Sequence, residues 1–118
     1  MGTVLQLHLP MDIEFSIPKD NPVWLVRDGV ERMDLSKLYG TYAHLESNEA
    51  TPRQMLELVV FAAMHGVRSS RAIEDFCQNR IDCQFLLDGK KAPDYSTIAR
   101  FRSLHLAACA KDVLVEMD

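Results

Sequence analysis

Two clusters of basic and hydroxyl residues are the parts of this sequence best suited to binding chemistry. The first follows Gly66 and contains Arg68, Ser69, Ser70 and Arg71. The members of the second are Lys90, Lys91, Ser96, Thr97, Arg100 and Arg102. Arginines and short hydroxyl side chains at the start of a helix suit phosphate groups, because free backbone N–H groups and the helix dipole also point there. The clusters therefore predict DNA binding, with the two lysines adding phosphate contacts and the last helix reading base edges in a major groove.

The sequence gives no sign that residues suited to catalysis or metal binding come together in one site. The 17 Asp and Glu residues fall in predicted turns, at predicted helix starts and on solvent-facing positions. Cys77 and Cys83 are not spaced like a standard zinc pair, and His105 and Cys109 are expected to be ordinary core residues. The sequence has no GxSxG motif and no glycine-rich phosphate loop. We therefore expect no catalytic residue, no metal site and no cofactor in this chain.

The composition fits one soluble helical domain. The chain has 118 residues, of which 47% are hydrophobic and 25% are charged, and this excludes a disordered chain or a disulfide-dense miniprotein. The longest apolar stretch, 55–64, is far shorter than the roughly 20 residues that cross a bilayer. The N-terminus does not look like a secretory signal. Three cysteines without tight pairing fit a reducing cytoplasm, which is the predicted location, without membrane contact.

Charge is distributed unevenly along the chain. The net charge is −4, and the first 50 residues carry all of it, with 4 Lys and Arg against 8 Asp and Glu. Residues 51–118 hold 9 of each kind. The chain as a whole therefore lacks the basic excess that is typical of nucleic-acid-binding domains, and any such contact must come from a local patch.

The first 20 residues are predicted to form an extended arm. Apolar residues occupy every odd position from 5 to 17 and polar residues or Pro10 fill the even ones, which puts the apolar side chains on one face of an extended chain. Pro10 suits an edge strand or a break between two short strands. The arm could lie over its own domain, form a hairpin, or add a strand to a second copy and make a homodimer.

Four helix starts are readable upstream of and between the two clusters. Asn21-Pro22 predicts a first helix, and Asp34 predicts a short second one through Tyr39. The run Thr51-Pro52-Arg53-Gln54 predicts a capping box and a buried central helix to about His65, which Gly66 ends. Ser69 or Ser70 is predicted to cap the helix that follows. The inward-facing residues of that region are predicted to be Ile73, Phe76, Cys77 and Ile81.

The remaining elements complete an all-α fold. A short helix is predicted at 84–87, and Asp94 or Ser96 is predicted to cap a final helix from about Tyr95 to Val115. Residues 52–65, the turn 66–69 and residues 70–80 form a helix-turn-helix-like corner. The predicted organisation is an extended arm over 1–20 and a small multi-helix domain over 21–118.

Three segments add a family resemblance. They are PRQML at 52–56, GVRSSRAIE at 66–74 and PDYSTIARFR at 93–102. Together they resemble the N-terminal domain of InsH-type bacterial insertion-sequence transposases, over about residues 15–109. In that family the helical domain precedes a DDE catalytic domain with an RNase H-like fold. The resemblance therefore implies recognition of transposon-end DNA or assembly of the transposase.

The chain ends at Asp118, before such a catalytic domain could begin. We therefore expect a truncated form or a gene remnant that does no strand chemistry alone. The leading prediction is a non-catalytic DNA-binding domain of a DNA transposase that acts on transposon ends. The alternative is a dimerisation or assembly module without direct DNA contact. Burial of the cluster arginines in ion pairs would contradict DNA binding. For Arg102, an ion pair with an acid such as Asp94 is the alternative to DNA contact.

Overall fold

Six helices and one π-helical turn make up the part of the chain that the computed structural model describes, residues 17–109. The helices are α1 (Pro22–Glu31), α2 (Ser36–Gly40), α3 (Pro52–Met64), α4 (Ser70–Gln78), α5 (Ile81–Leu87) and α6 (Tyr95–Arg100). The backbone of α6 continues through the π-helical turn, Phe101–Leu106, to residue 109. We call residues 95–109 the last helix. Within the described residues there is no strand, and the all-α prediction is confirmed for them.

Side-chain caps start the helices where the sequence predicts them. The Oδ1 atom of Asn21 accepts a hydrogen bond from the backbone N–H of Val23 at 2.8 Å. Thr51 and Gln54 form the predicted capping box. Of the alternatives, Ser69 caps α4 and Asp94 caps α6. These bonds satisfy backbone donors that have no partner within the helix.

Helix α3 is the central helix, as predicted. Its buried side chains include Leu56, Leu58 and Phe61, and it packs against α1, α4 and α5. Only its last turn is exposed, at Ala63 and Met64. The apolar character nearly all round this helix therefore reflects burial between its neighbours.

Two local predictions are wrong. Ile81, predicted to face inward, is 47% exposed, because α4 ends at Gln78 and the chain turns before α5 begins at Ile81. Asp34 does not cap α2: the N-cap residue is Leu35, and the Asp34 carboxylate instead accepts from the backbone N–H of Ser36 at 3.0 Å.

Two predictions concern the ends of the chain, which lie outside the described residues. Residues 1–16, most of the predicted arm, lie outside the described residues, as does the predicted continuation of the last helix to Val115. Pairing of the arm across a homodimer therefore stays a prediction. At the start of the described residues, Ile17 is buried and the carbonyl of Pro18 accepts a hydrogen bond from Trp24 Nε1 at 3.0 Å. No described helix is long and apolar enough to cross a bilayer.

Candidate nucleic-acid interface

The predicted corner begins with a complete helix-ending motif. The backbone N–H of Gly66 donates to the carbonyl of Ala63, and that of Val67 donates to the carbonyl of Ala62, both at 2.9 Å. This pair of hydrogen bonds is the Schellman motif, which needs a residue in the left-handed conformation after the helix. Gly66 supplies it with a φ of +77°. The chain therefore leaves α3 in a fixed direction, which places residues 68–71 at the start of α4.

Arg102 joins this corner to the last helix. Its Nη1 atom donates to the backbone carbonyl of Arg68 and lies 3.4 Å from Ser70 Oγ. The adjacent hydroxyl, Ser69 Oγ, accepts from the backbone N–H of Ala72 at 3.1 Å. The suggested pairing of Arg102 with Asp94 is not what the structure shows. Arg102 instead binds the corner, so that the two sequence clusters meet there.

A cation–π contact reinforces the same junction. The guanidinium carbon of Arg71 lies 3.8 Å from the centre of the Tyr95 ring. Arg68, Arg71 and Tyr95 are exposed, so this contact leaves positive charge at the surface. We call the surface formed by Arg68, Ser69, Ser70, Arg71, Tyr95 and Arg102 the corner face.

The structure separates the rest of the second cluster from the corner face. Residues two apart on a helix do not face each other, so Arg100 and Arg102 point to different sides of the last helix. Arg100, Thr97 and Lys91 line a groove of about 530 Å³ that also contains Tyr42 and His105. The residues assigned to DNA binding therefore lie on two surfaces of the described domain, and their contact with DNA stays a prediction.

Lys90 and Ser96 are engaged within the protein. Lys90 Nζ lies 3.3 Å from the carbonyl of Glu49 and 3.4 Å from Gln54 Oε1. Ser96 Oγ donates to Asp94 Oδ1 at 3.0 Å. Phosphate contact by Lys90 and base reading by Ser96 and Thr97 remain predictions.

The arginines of residues 17–109 divide into two groups of four. The first group forms ion pairs: Arg27 with Glu57 and Asp88, Arg32 with Asp28, Arg53 with Glu31, and Arg80 with Asp82. The second group is Arg68, Arg71, Arg100 and Arg102, and none of them forms an ion pair with a described acid. The second group contains all the arginines that the sequence assigned to DNA.

The prediction that the acids lie in turns, at helix starts or on solvent-facing positions is wrong for two of them. Glu57 is fully buried, and its two oxygens have no hydrogen-bond partner among the described residues; Arg27 Nε is 3.6 Å away. Burial raises the pKa of Glu57 to about 7, although Arg27 and Arg53 oppose this shift. The sequence signal that could have revealed this buried acid is a single acidic residue within an apolar helix.

Asp82 is the second buried acid. Burial alone would raise its pKa, but hydrogen bonds from Arg80 and Asn21 and the charge of Arg80 hold the pKa below its usual value. Arg80 donates to both carboxylate oxygens, at 3.0 and 2.9 Å, and Asn21 Nδ2 donates at 3.2 Å. Among the described residues, no three His, Cys, Asp or Glu side chains are grouped so that they could hold a metal ion.

His105 and Cys109 are buried in the core, as predicted. His105 Nδ1 lies 2.8 Å from Thr41 Oγ1, and the imidazole ring stacks on the Tyr42 ring with centres 3.7 Å apart. Sequence reasoning gave Tyr42 no role, because nothing in the pattern links it to a residue so far along the chain. The groove was missed for the same reason.

Comparison with known protein families gives the class of protein. The model of a transposase domain family, DUF772, matches residues 11–104. This chain therefore belongs to that transposase domain family. The comparisons found no match among curated proteins and none among solved structures.

Proposed function

We propose that residues 17–109 bind transposon-end DNA through the corner face, as a non-catalytic step of DNA transposition in the cytoplasm. Membership of the transposase domain family supports a role in transposition. The observation that carries the DNA contact is the division of the arginines. The four at the corner face and the groove have no acidic partner among the described residues, whereas the other four do.

The geometry of the corner face fits a phosphate backbone. Arg68 and Arg71 are exposed, and Arg102 is held by the backbone of Arg68 rather than by a carboxylate. The charge of the half-buried Arg102 is therefore not balanced by a described acid, while its side chain fixes the corner. A contact through these three arginines neutralises about two or three phosphates. We therefore expect a modest affinity for DNA that falls steeply as the salt concentration rises.

Fluorescence anisotropy on duplex DNA from the ends of the element that carries the gene tests this proposal. The test variant is the double substitution Arg68→Gln with Arg71→Gln. The matched control is Lys19→Gln with Arg32→Gln, which removes two exposed positive charges elsewhere. We expect about tenfold weaker binding for the test variant at low salt, and a salt dependence shallower by about one unit per lost phosphate contact.

The control variant is expected to bind like the parent chain. Equal binding by both double variants would contradict the corner face as the contact surface. Absence of binding by the parent chain at low salt would contradict DNA binding itself. An unrelated duplex of the same length measures how much of the affinity depends on sequence.

A further inference from the structure

The groove beside the last helix combines groups that the proposed function does not use. Its volume of about 530 Å³ lies in the range of small-molecule sites. Its cations are Lys91 and Arg100, its acids are Glu49 and Asp94, and Asn48 adds an amide. The aromatic side chains Tyr42, Phe101 and His105 complete it. The groove therefore offers charge of both signs next to aromatic rings.

The protonation of His105 follows from its neighbours. The hydroxyl of Thr41 donates to the carbonyl of Leu38 at 2.7 Å, so its oxygen is left to accept from His105 Nδ1. Burial and the charge of Arg100 lower the pKa of His105, which favours the neutral ring, although a hydrogen bond with Thr41 opposes this shift. The proton therefore sits on Nδ1, and Nε2, which has no partner among the described residues, carries a lone pair.

The backbone of this segment is also unusual. The π-helical turn at Phe101–Leu106 contains His105 and begins directly after Arg100. Single π-helical turns within α-helices are rare and frequently occur at functional sites. Here the turn places Phe101 and His105 in the core, while the preceding turn carries Arg100 and Thr97 to the groove.

We propose that this groove binds an unpaired nucleotide of single-stranded DNA. Arg100 and Lys91 bind its phosphate, and the base lies against the stacked Tyr42 and His105 rings. His105 Nε2, Asn48 and Glu49 supply acceptors for N–H groups of a base, such as N3–H of thymine. The acids disfavour an acidic peptide in the same place, and the exposed cations disfavour a basic one.

This inference rests on the proposed function in one respect, the source of the strand. Because Arg100 and Arg102 lie on different sides of one helix, the groove is about one helix diameter from the corner face. A strand that leaves a duplex at the corner face therefore reaches the groove within a few nucleotides. The two surfaces are expected to prefer different forms of DNA.

Anisotropy of a labelled oligothymidylate and of a labelled duplex, each with the full 118-residue chain, separates the two surfaces. The groove variants are Arg100→Gln, which alters an exposed residue, and Tyr42→Leu with Tyr42→Phe as its conservative partner. The corner variant is Arg68→Gln with Arg71→Gln, and Arg32→Gln is the charge control. Circular dichroism establishes that each variant is folded.

We expect Arg100→Gln and Tyr42→Leu to bind the oligothymidylate at least about fivefold more weakly, because stacking and phosphate contacts are lost. Tyr42→Phe is expected to bind normally, and duplex binding is expected to be unchanged in all three. Normal binding of the oligothymidylate by Arg100→Gln would overturn the proposal, as would equal competition by polyglutamate. Loss of duplex binding only in the corner variant would leave both proposals in place.

If the parent chain binds the oligothymidylate through the groove but binds no duplex, the proposed function fails and the groove assignment stands. If it binds the duplex through the corner face but not the oligothymidylate, the groove assignment fails alone.

Discussion

The α1–α3–α5 side of the molecule and the corner face contain arginines in opposite situations. On the first side, Arg27, Arg53 and Arg80 each have a carboxylate within 3.6 Å. At the corner face, Arg102 contacts a backbone carbonyl and Arg71 contacts a ring instead. An arginine paired with an acid contributes to stability, whereas one without an acid leaves its charge for an external anion. The comparison teaches that the partner of an arginine, and not the arginine itself, decides whether its charge is balanced within the described part of the protein.

The largest loss of stability on substitution is expected at Asp82. Its carboxylate accepts bonds from Arg80, from Asn21 and from the backbone N–H of Cys83. Asp82→Ala is expected to lower the free energy of unfolding by about 2–3 kcal/mol, because several donors lose a charged acceptor. Urea unfolding measures this change. The control is Asp75→Ala, an exposed acid on α4, and an equal loss in both variants would contradict the comparison.

A pH-dependent effect is expected from Glu57. Because its pKa is raised from 4.5 to about 7, the folded state holds the proton more tightly than the unfolded state. The stability from this group is complete below pH 4.5 and is lost as pH rises to about 7. Glu57→Gln cannot ionise, and it is expected to remove on the order of 3 kcal/mol of this decline, since one pKa unit corresponds to about 1.4 kcal/mol. Urea unfolding at several pH values measures it, and an unchanged slope in the variant would show that Glu57 is not its source.

A smaller loss is expected at the turn that shapes the corner face. Gly66 has a φ of +77°, and no atom within 4 Å would meet an added Cβ. Gly66→Ala is therefore expected to cost about 1 kcal/mol through backbone strain alone. Thermal unfolding measures this cost. Gly29→Ala, within α1 and also without a close neighbour, is the matched control and is expected to be neutral or stabilising.

The smallest effect on stability is expected at the arginines without acidic partners. Arg68→Gln and Arg100→Gln are each expected to change the free energy of unfolding by less than about 0.5 kcal/mol, because both residues are exposed. Urea unfolding of these two variants beside Asp82→Ala measures the contrast directly. A loss above 1 kcal/mol at Arg68 or Arg100, on the order of that at Asp82, would mean that these arginines have a structural role.

The sequence predicted most of the helices well, because their starts and ends depend on hydrogen bonds between residues close together in the chain. Asn21, Thr51 and Gly66 act within a few residues of themselves, and each has the predicted role. Ile81 was placed wrongly, because its inward direction depends on where α4 ends. For the candidate site, the four arginines that the sequence assigned to DNA are the four without an ion pair to a described acid, and their contact with DNA stays a prediction. It did not reveal that Arg100 and Arg102 belong to two different surfaces.

The sequence by itself determined most of the helix starts, which helix is central and which family the chain resembles. The physical reason is that capping bonds and apolar periodicity join residues close together along the chain. Only the tertiary structure decided that Glu57 lies beside Arg27, that Arg102 binds the corner, and that Tyr42 stacks on His105. Those contacts join residues far apart in the chain, and the packing of the helices brings them together.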